Sequence, residues 1–280
     1  MNLLLPTAVF MLMVSVGMSL SVSRIMVNWR RLTLQAWTRL LLATFILPPA
    51  MALALSWSLH LGPGDTAGLF LIGVAPGAPL MTRGAAKKGF DMQMAASYQF
   101  WGALMIPIMI PLMVFAVGRL YDRDIWIPPL QLIEIIARQQ FLPLIGGMAL
   151  MYFLPAFSQK AQQLLNMLGN AILTAVILVL LWKMGMKLHE TSPVVILSAF
   201  ALAAGCLGVG LAFLSHGVPG AQTLAFSNCN RHVGLALLLS GQYVQSKTSL
   251  PAIASYAVAA IIVMTAYARW ARPRATPQPH

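Results

Sequence analysis

Four polar residues stand where an otherwise apolar segment should be crossing hydrocarbon: Asn228, Asn230, Arg231 and His232, in the run Ser227-Asn228-Cys229-Asn230-Arg231-His232. A fixed guanidinium flanked by amides and an imidazole is suited to holding an anion by charge and by donated hydrogen bonds. An arginine at the centre of a bilayer costs about 2.5 to 3.5 kcal/mol on insertion scales, so something must offset it. No acidic residue lies in the same segment, which leaves Glu134, a cage of carbonyls, or a bound anion as its partner. His232 has two readings: a neutral hydrogen-bonding group that orients Arg231, or a proton carrier that titrates near neutral pH.

A second interrupted segment reads Gly73-Val74-Ala75-Pro76-Gly77-Ala78-Pro79 and continues to Thr82 and Arg83. Pro76 and Pro79 lack backbone donors, and Gly77 tolerates dihedrals closed to other residues, so the chain leaves the helix here. Thr82 and Arg83 then fall in the first turns of the next half-helix, whose amino end favours anions. With Lys87 and Lys88 close behind, Arg83 also reads as a side chain that snorkels to the interface. Backbone groups freed in hydrocarbon must be satisfied by protein or trapped water, so such breaks line cavities. Paired breaks are the sequence sign of a transporter site.

These residues are carried by a chain that is 59% hydrophobic and only 9% charged. An α-helix needs roughly 20 apolar residues to cross a bilayer. Nine such runs occur, near residues 3–22, 37–61, 66–84, 92–117, 128–154, 164–186, 194–214, 218–243 and 250–267. The fold class expected is an all-α polytopic membrane protein with nine transmembrane helices and two discontinuous crossing helices. The net charge of +12 follows topology and does not indicate nucleic acid. Arg24, Arg30, Arg31, Arg39, Lys87, Lys88, Lys160, Arg269, Arg272 and Arg274 all fall on one side. The positive-inside rule then puts the amino terminus outside and the carboxyl terminus in the cytoplasm of a cytoplasmic (inner) membrane. The Pro-rich residues 271–280 read as a disordered cytoplasmic tail.

In each half a broken segment is followed by an unbroken one, and the odd number of crossings between the breaks makes this an inverted-topology repeat. The fourth segment carries Pro107 and Pro111, where a bend is expected. Glu134 and Arg138, four apart on the fifth, read as an ion pair facing the bundle interior, with proton coupling as the alternative role of Glu134. Cys206 and Cys229 read as buried small hydrophobes. No His, Cys or carboxylate cluster has metal-ligand spacing, and no paired catalytic groups suggest an enzyme.

Residues 10–20, with their Met/Gly-rich pattern, Pro76-Gly77 in the first broken helix, and Thr223-Leu224 with Gly234-Leu235-Ala236 flanking the second resemble the bile acid/sodium symporter family. The resemblance runs over nearly the whole chain, in a nine-helix form. It implies a panel domain (1–30 and 125–187; helices 1, 5 and 6) that rocks against a core domain (31–124 and 188–270; helices 2, 3, 4, 7, 8 and 9). Substrate would lie between them at the crossing. The sodium-coupled members of that family hold ions with side-chain oxygens that are replaced here: Met81-Thr82 after the first break, Ser227 in place of a Glu, and Arg231-His232 in place of Gln-Asn. A guanidinium beside a sodium site repels the cation, so sodium remains an open coupling ion rather than an expected one.

The reading as a whole is a secondary transporter of a small organic anion working by alternating access, with no cofactor, in a lipid bilayer, and with proton or sodium as coupling ion. Its substrate site would comprise Arg231, His232, Asn230, Asn228, Thr82, Pro76 and Gly77. Glu134, Arg138, Arg83, Ser227, Ser97 and Gln99 are coupling or gating candidates. The alternatives are an efflux permease for an oxyanion such as arsenite, which Cys229 in the break suggests, and a non-transporting membrane sensor.

Overall fold

The computed structural model describes residues 3–19, 34–77, 84–85, 87–118, 129–185, 192–214, 221–241 and 246–271. These residues are helical almost throughout, and the helices fall on the apolar runs: α1 Leu4–Ser19; α2 Leu34–Leu41 and α3 Leu47–Ser58; α4 Pro63–Val74; α5 Met92–Gly118; α6 Pro129–Ile136 and α7 Leu142–Phe153; α8 Pro155–Gly185; α9 Pro193–Leu214; α10 Ala221–Cys229 and α11 Val233–Ser240; α12 Ser246–Trp270. Among the described residues, five helices are long and apolar enough to cross a membrane: Leu34–Ser58, Met94–Val117, Pro155–Val179, Pro193–Phe213 and Thr248–Trp270. The chain is an all-α, multi-pass membrane protein.

Two of the spans contain a π-helical turn, Leu42–Ile46 between α2 and α3 and Ala137–Phe141 between α6 and α7. Each runs directly into proline, Pro48-Pro49 in the first and Pro143 in the second. Proline cannot donate to the carbonyl four residues back, and the wider turn relieves the clash of its ring. In the first, Leu47 N–H bonds to Leu42 O, five residues back.

The helices pack by two routes. α1 lies along α7 and α8, and at its contact with α7 a methyl group on either Gly17 or Gly147 would collide with the opposite backbone, so the two helices touch main chain to main chain. The larger body places α4 against α3 and α12, and α9 against α3, α10 and α12. Close approach again depends on glycine: a Cβ on Gly73 would stand 2.8 Å from Pro49 Cα, and one on Gly210 2.6 Å from Ala225 Cα.

The expected bend at Pro107 and Pro111 does not end the helix; α5 runs through both. Glu134 and Arg138 do pair, at 3.5 Å, but the pair faces outward, with the side chains 61% and 73% exposed, and not into the bundle as the sequence suggested. The inward face of α6 is taken by Leu132 and Ile136, both fully buried, and Glu134, two residues from each, is turned to the opposite side. Thr82, Arg83, and nearly all of the tail 271–280 lie outside the described residues.

Candidate functional site

The two interrupted spans meet through their backbones. α4 stops at Val74; Ala75 and Pro76 leave the helix, and Gly77 takes a left-handed φ of +74° that its missing side chain permits. α10 stops at Cys229, and α11 begins at Val233. Between them His232 N–H donates to Ala75 O at 2.8 Å, joining one break to the other. Pro76 packs against the main chain at Gly102 on α5, and Gly77 lies over Gln99 of the same helix.

The groups released by the second break are accounted for one by one. Asn230 N–H closes α10 on Phe226 O (3.2 Å) and Ser227 O (3.1 Å). Cys229 O accepts from Arg231 N–H at 3.1 Å and from the Tyr256 hydroxyl at 2.8 Å. His232 is the N-cap of α11: its Nδ1 accepts from Leu235 N–H at 3.0 Å, which leaves the ring neutral with its proton on Nε2. Of the two readings of His232, orientation of Arg231 gains nothing from this bond, because the ring's acceptor is spent on the helix end that follows.

Arg231 is 1% exposed. Its Nη1 donates to Thr44 O at 2.8 Å and its Nη2 to Asn228 Oδ1 at 3.1 Å. Thr44 O is available because its helical donor would come from residue 48, or from residue 49 in the wider turn, and both are proline. Asn228 is held with its oxygen toward the guanidinium, since Nδ2 donates to Cys206 O at 2.8 Å and Oδ1 also accepts from the Tyr98 hydroxyl at 2.9 Å. That hydroxyl sits 3.2 Å from Thr44 Oγ1. A carbonyl and an amide oxygen therefore offset the buried charge, and Glu134 is engaged with Arg138 instead.

Three polar atoms at the break are buried without a partner: Ser227 Oγ, Arg231 Nε and His232 Nε2. Each can donate a hydrogen bond. Ser97 and Gln99 are buried on α5, the helix that carries Tyr98, and Asn230 is half-buried. The Cys229 thiol is turned to Ala203 O at 3.4 Å, into the contact with α9. On the opposite side of the break, a Cβ on Gly234 would meet Leu173 of α8, His232, and Val9 of α1 at 3.3 to 3.4 Å, so α1 and α8 come up against the start of α11. Among the described residues no three His, Cys, Asp or Glu side chains group as metal ligands.

Thr44, Tyr98 and Tyr256 were not singled out from the sequence, since each lies on a different span from the arginine it surrounds. The one sign available was the proline pair, four and five residues after Thr44. Gln140, also missed, is buried in the second π turn with both amide atoms unpartnered.

A family model described as the Sodium Bile acid symporter family matches residues 6–191. The chain belongs to this family. Its members are transporters, and the match ends before α10, so Ser227, Arg231 and His232 stand beyond the matched stretch. No curated protein is significantly similar to the chain.

Proposed function

We propose that this protein is a secondary transporter that carries a small organic anion by alternating access, with the crossing of its two broken spans as the binding site. The observation that carries the reading is that each group the crossing leaves unpaired can donate: a hydroxyl, a guanidinium N–H and a neutral imidazole N–H, all buried beside a fixed positive charge. Such a set accepts a carboxylate or similar oxyanion and rejects a cation. The amino end of α11, whose first-turn N–H groups have no intrahelical carbonyl, adds to the same field.

In this reading the chain has nine spans in two inverted halves. α1, α6, α7 and α8 form the panel, and the remaining helices form the core that holds the crossing. The close packing of α1 with α7 and α8 supports the division, and the approach of Val9 and Leu173 to Gly234 supports placing the seam at the break. His232 and Ser227 contact the substrate, with Asn230 at its margin. Pro76 and Gly77 shape the first break, Ser97 and Gln99 back it on α5, and Arg231 acts mainly through its charge. The membrane is the cytoplasmic one, with the carboxyl terminus inside.

Uptake of organic acids of graded size into proteoliposomes tests this. Saturable uptake that other organic anions compete away supports it. Thermal stabilisation by an organic anion with no flux at any gradient overturns it in favour of a sensor.

A further inference from the structure

The crossing of a membrane transporter must be held together where hydrocarbon offers its polar groups nothing, and a small cation among carbonyl and amide oxygens is one means of doing so. At this crossing a cation already sits among such oxygens, and it is covalently attached. We propose that the Arg231 guanidinium is a built-in substitute for a mobile coupling cation, so that the crossing is assembled and positively charged without sodium. This deepens the reading above, taking from it only that the crossing is the working site.

Thr44 O is an acceptor left open by Pro48 and Pro49, and Arg231 Nη1 fills it at 2.8 Å. Asn228 Oδ1 is fixed toward the same group by its bond from Tyr98 and by the anchoring of its own nitrogen on Cys206 O. Both oxygens are of the kind a hard cation takes, and both are occupied by the side chain. Arginine does not lose its proton in proteins, so the charge is permanent. Among the described residues Arg231 has no carboxylate partner: Glu134 pairs with Arg138, Asp65 lies in the first turn of α4, about 15 Å of helix rise from Ala75, and Asp91 sits at the start of α5, where its Oδ1 accepts from Met94 N–H. The site therefore keeps a net positive charge. A second cation placed beside it would be repelled.

The test uses the purified full-length protein and reads thermal unfolding by intrinsic fluorescence, with uptake measured separately. Wild type is expected to unfold at the same temperature when sodium is replaced by choline at matched ionic strength, and uptake is expected to be unchanged. Arg231→Ala empties the cage; it is expected to unfold several degrees lower and to lose uptake roughly ten- to a hundredfold. Free guanidinium at sub-denaturing concentration should restore part of both, and urea, its neutral analogue, should not. Unfolding of wild type that drops in choline overturns the proposal, as does rescue by urea equal to that by guanidinium. If Arg231→Ala cannot be purified, the choline exchange on wild type decides alone. Because unfolding is read without substrate, a wild type that moves no organic anion yet gives the expected thermal results refutes the transport reading and leaves this one standing.

Discussion

Asn228 gives the sharpest test at the level of single side chains, because its amide oxygen accepts from the guanidinium and its replacement by a carboxylate changes charge with almost no change of shape. In Asn228→Asp the pair becomes a neutral, charge-assisted contact, but the bond that Nδ2 gives Cys206 O is replaced by two facing oxygens. The gain of the charge pair and the loss of the Cys206 bond are of similar size, so the unfolding temperature should move by only a few degrees, while uptake of an organic anion falls by about tenfold or more, the scale of one lost charged hydrogen bond. Equal uptake would show that the field of Arg231 is not used. His232 separates two jobs in one ring: Nδ1 caps α11, and Nε2 is buried without a partner. Asparagine caps helices well but does not extend to the position of Nε2. His232→Asn should therefore unfold within a degree or two of wild type and show a KM for the anion raised roughly tenfold.

At the level of the helix, proline loses its usual penalty. Replacing proline inside a helix normally stabilises it by up to about 3 kcal/mol. Here Pro48 and Pro49 withhold the N–H groups that would otherwise compete for Thr44 O. The double replacement Pro48→Ala/Pro49→Ala should therefore fail to raise the unfolding temperature, because that gain is offset by the about 1 to 3 kcal/mol lost as a buried guanidinium N–H loses its acceptor. The second π turn holds the opposite situation, with both amide atoms of Gln140 buried and unpartnered. Gln140→Leu should raise the unfolding temperature by the equivalent of about 1 to 3 kcal/mol if the amide serves no fold contact. These contrasts also mark what sequence could tell. Gly77 between two prolines, and four polar residues between apolar runs, announce both breaks because local chemistry alone forbids a continuous helix there. The spacing of Glu134 and Arg138 gives their pairing, since i and i+4 meet on any helix. Which way that pair faces depends on Leu132 and Ile136 finding neighbours, and Thr44, Tyr98 and Tyr256 reach the arginine only through packing of spans far apart in the chain.

For the molecule as a whole, apolar periodicity and length specify a multi-pass helical protein because the bilayer allows few other solutions. The direction of insertion rests on arginine and lysine placement, and a fluorescent protein fused after His280 should fluoresce in the cytoplasm; a dark fusion with full-length protein present would reverse the topology. A single charged side chain spans the join between residues 44 and 231, and the backbone bond from His232 to Ala75 fastens the same break to the end of α4. Sliding α2 and α3 past α10 would have to break a charged contact in hydrocarbon, whereas the facing surfaces at Gly234, Val9 and Leu173 are apolar and carry no such fastening. Any rocking of the molecule therefore has its lubricated face along α1 and α8, and its bolted face along the proline pair.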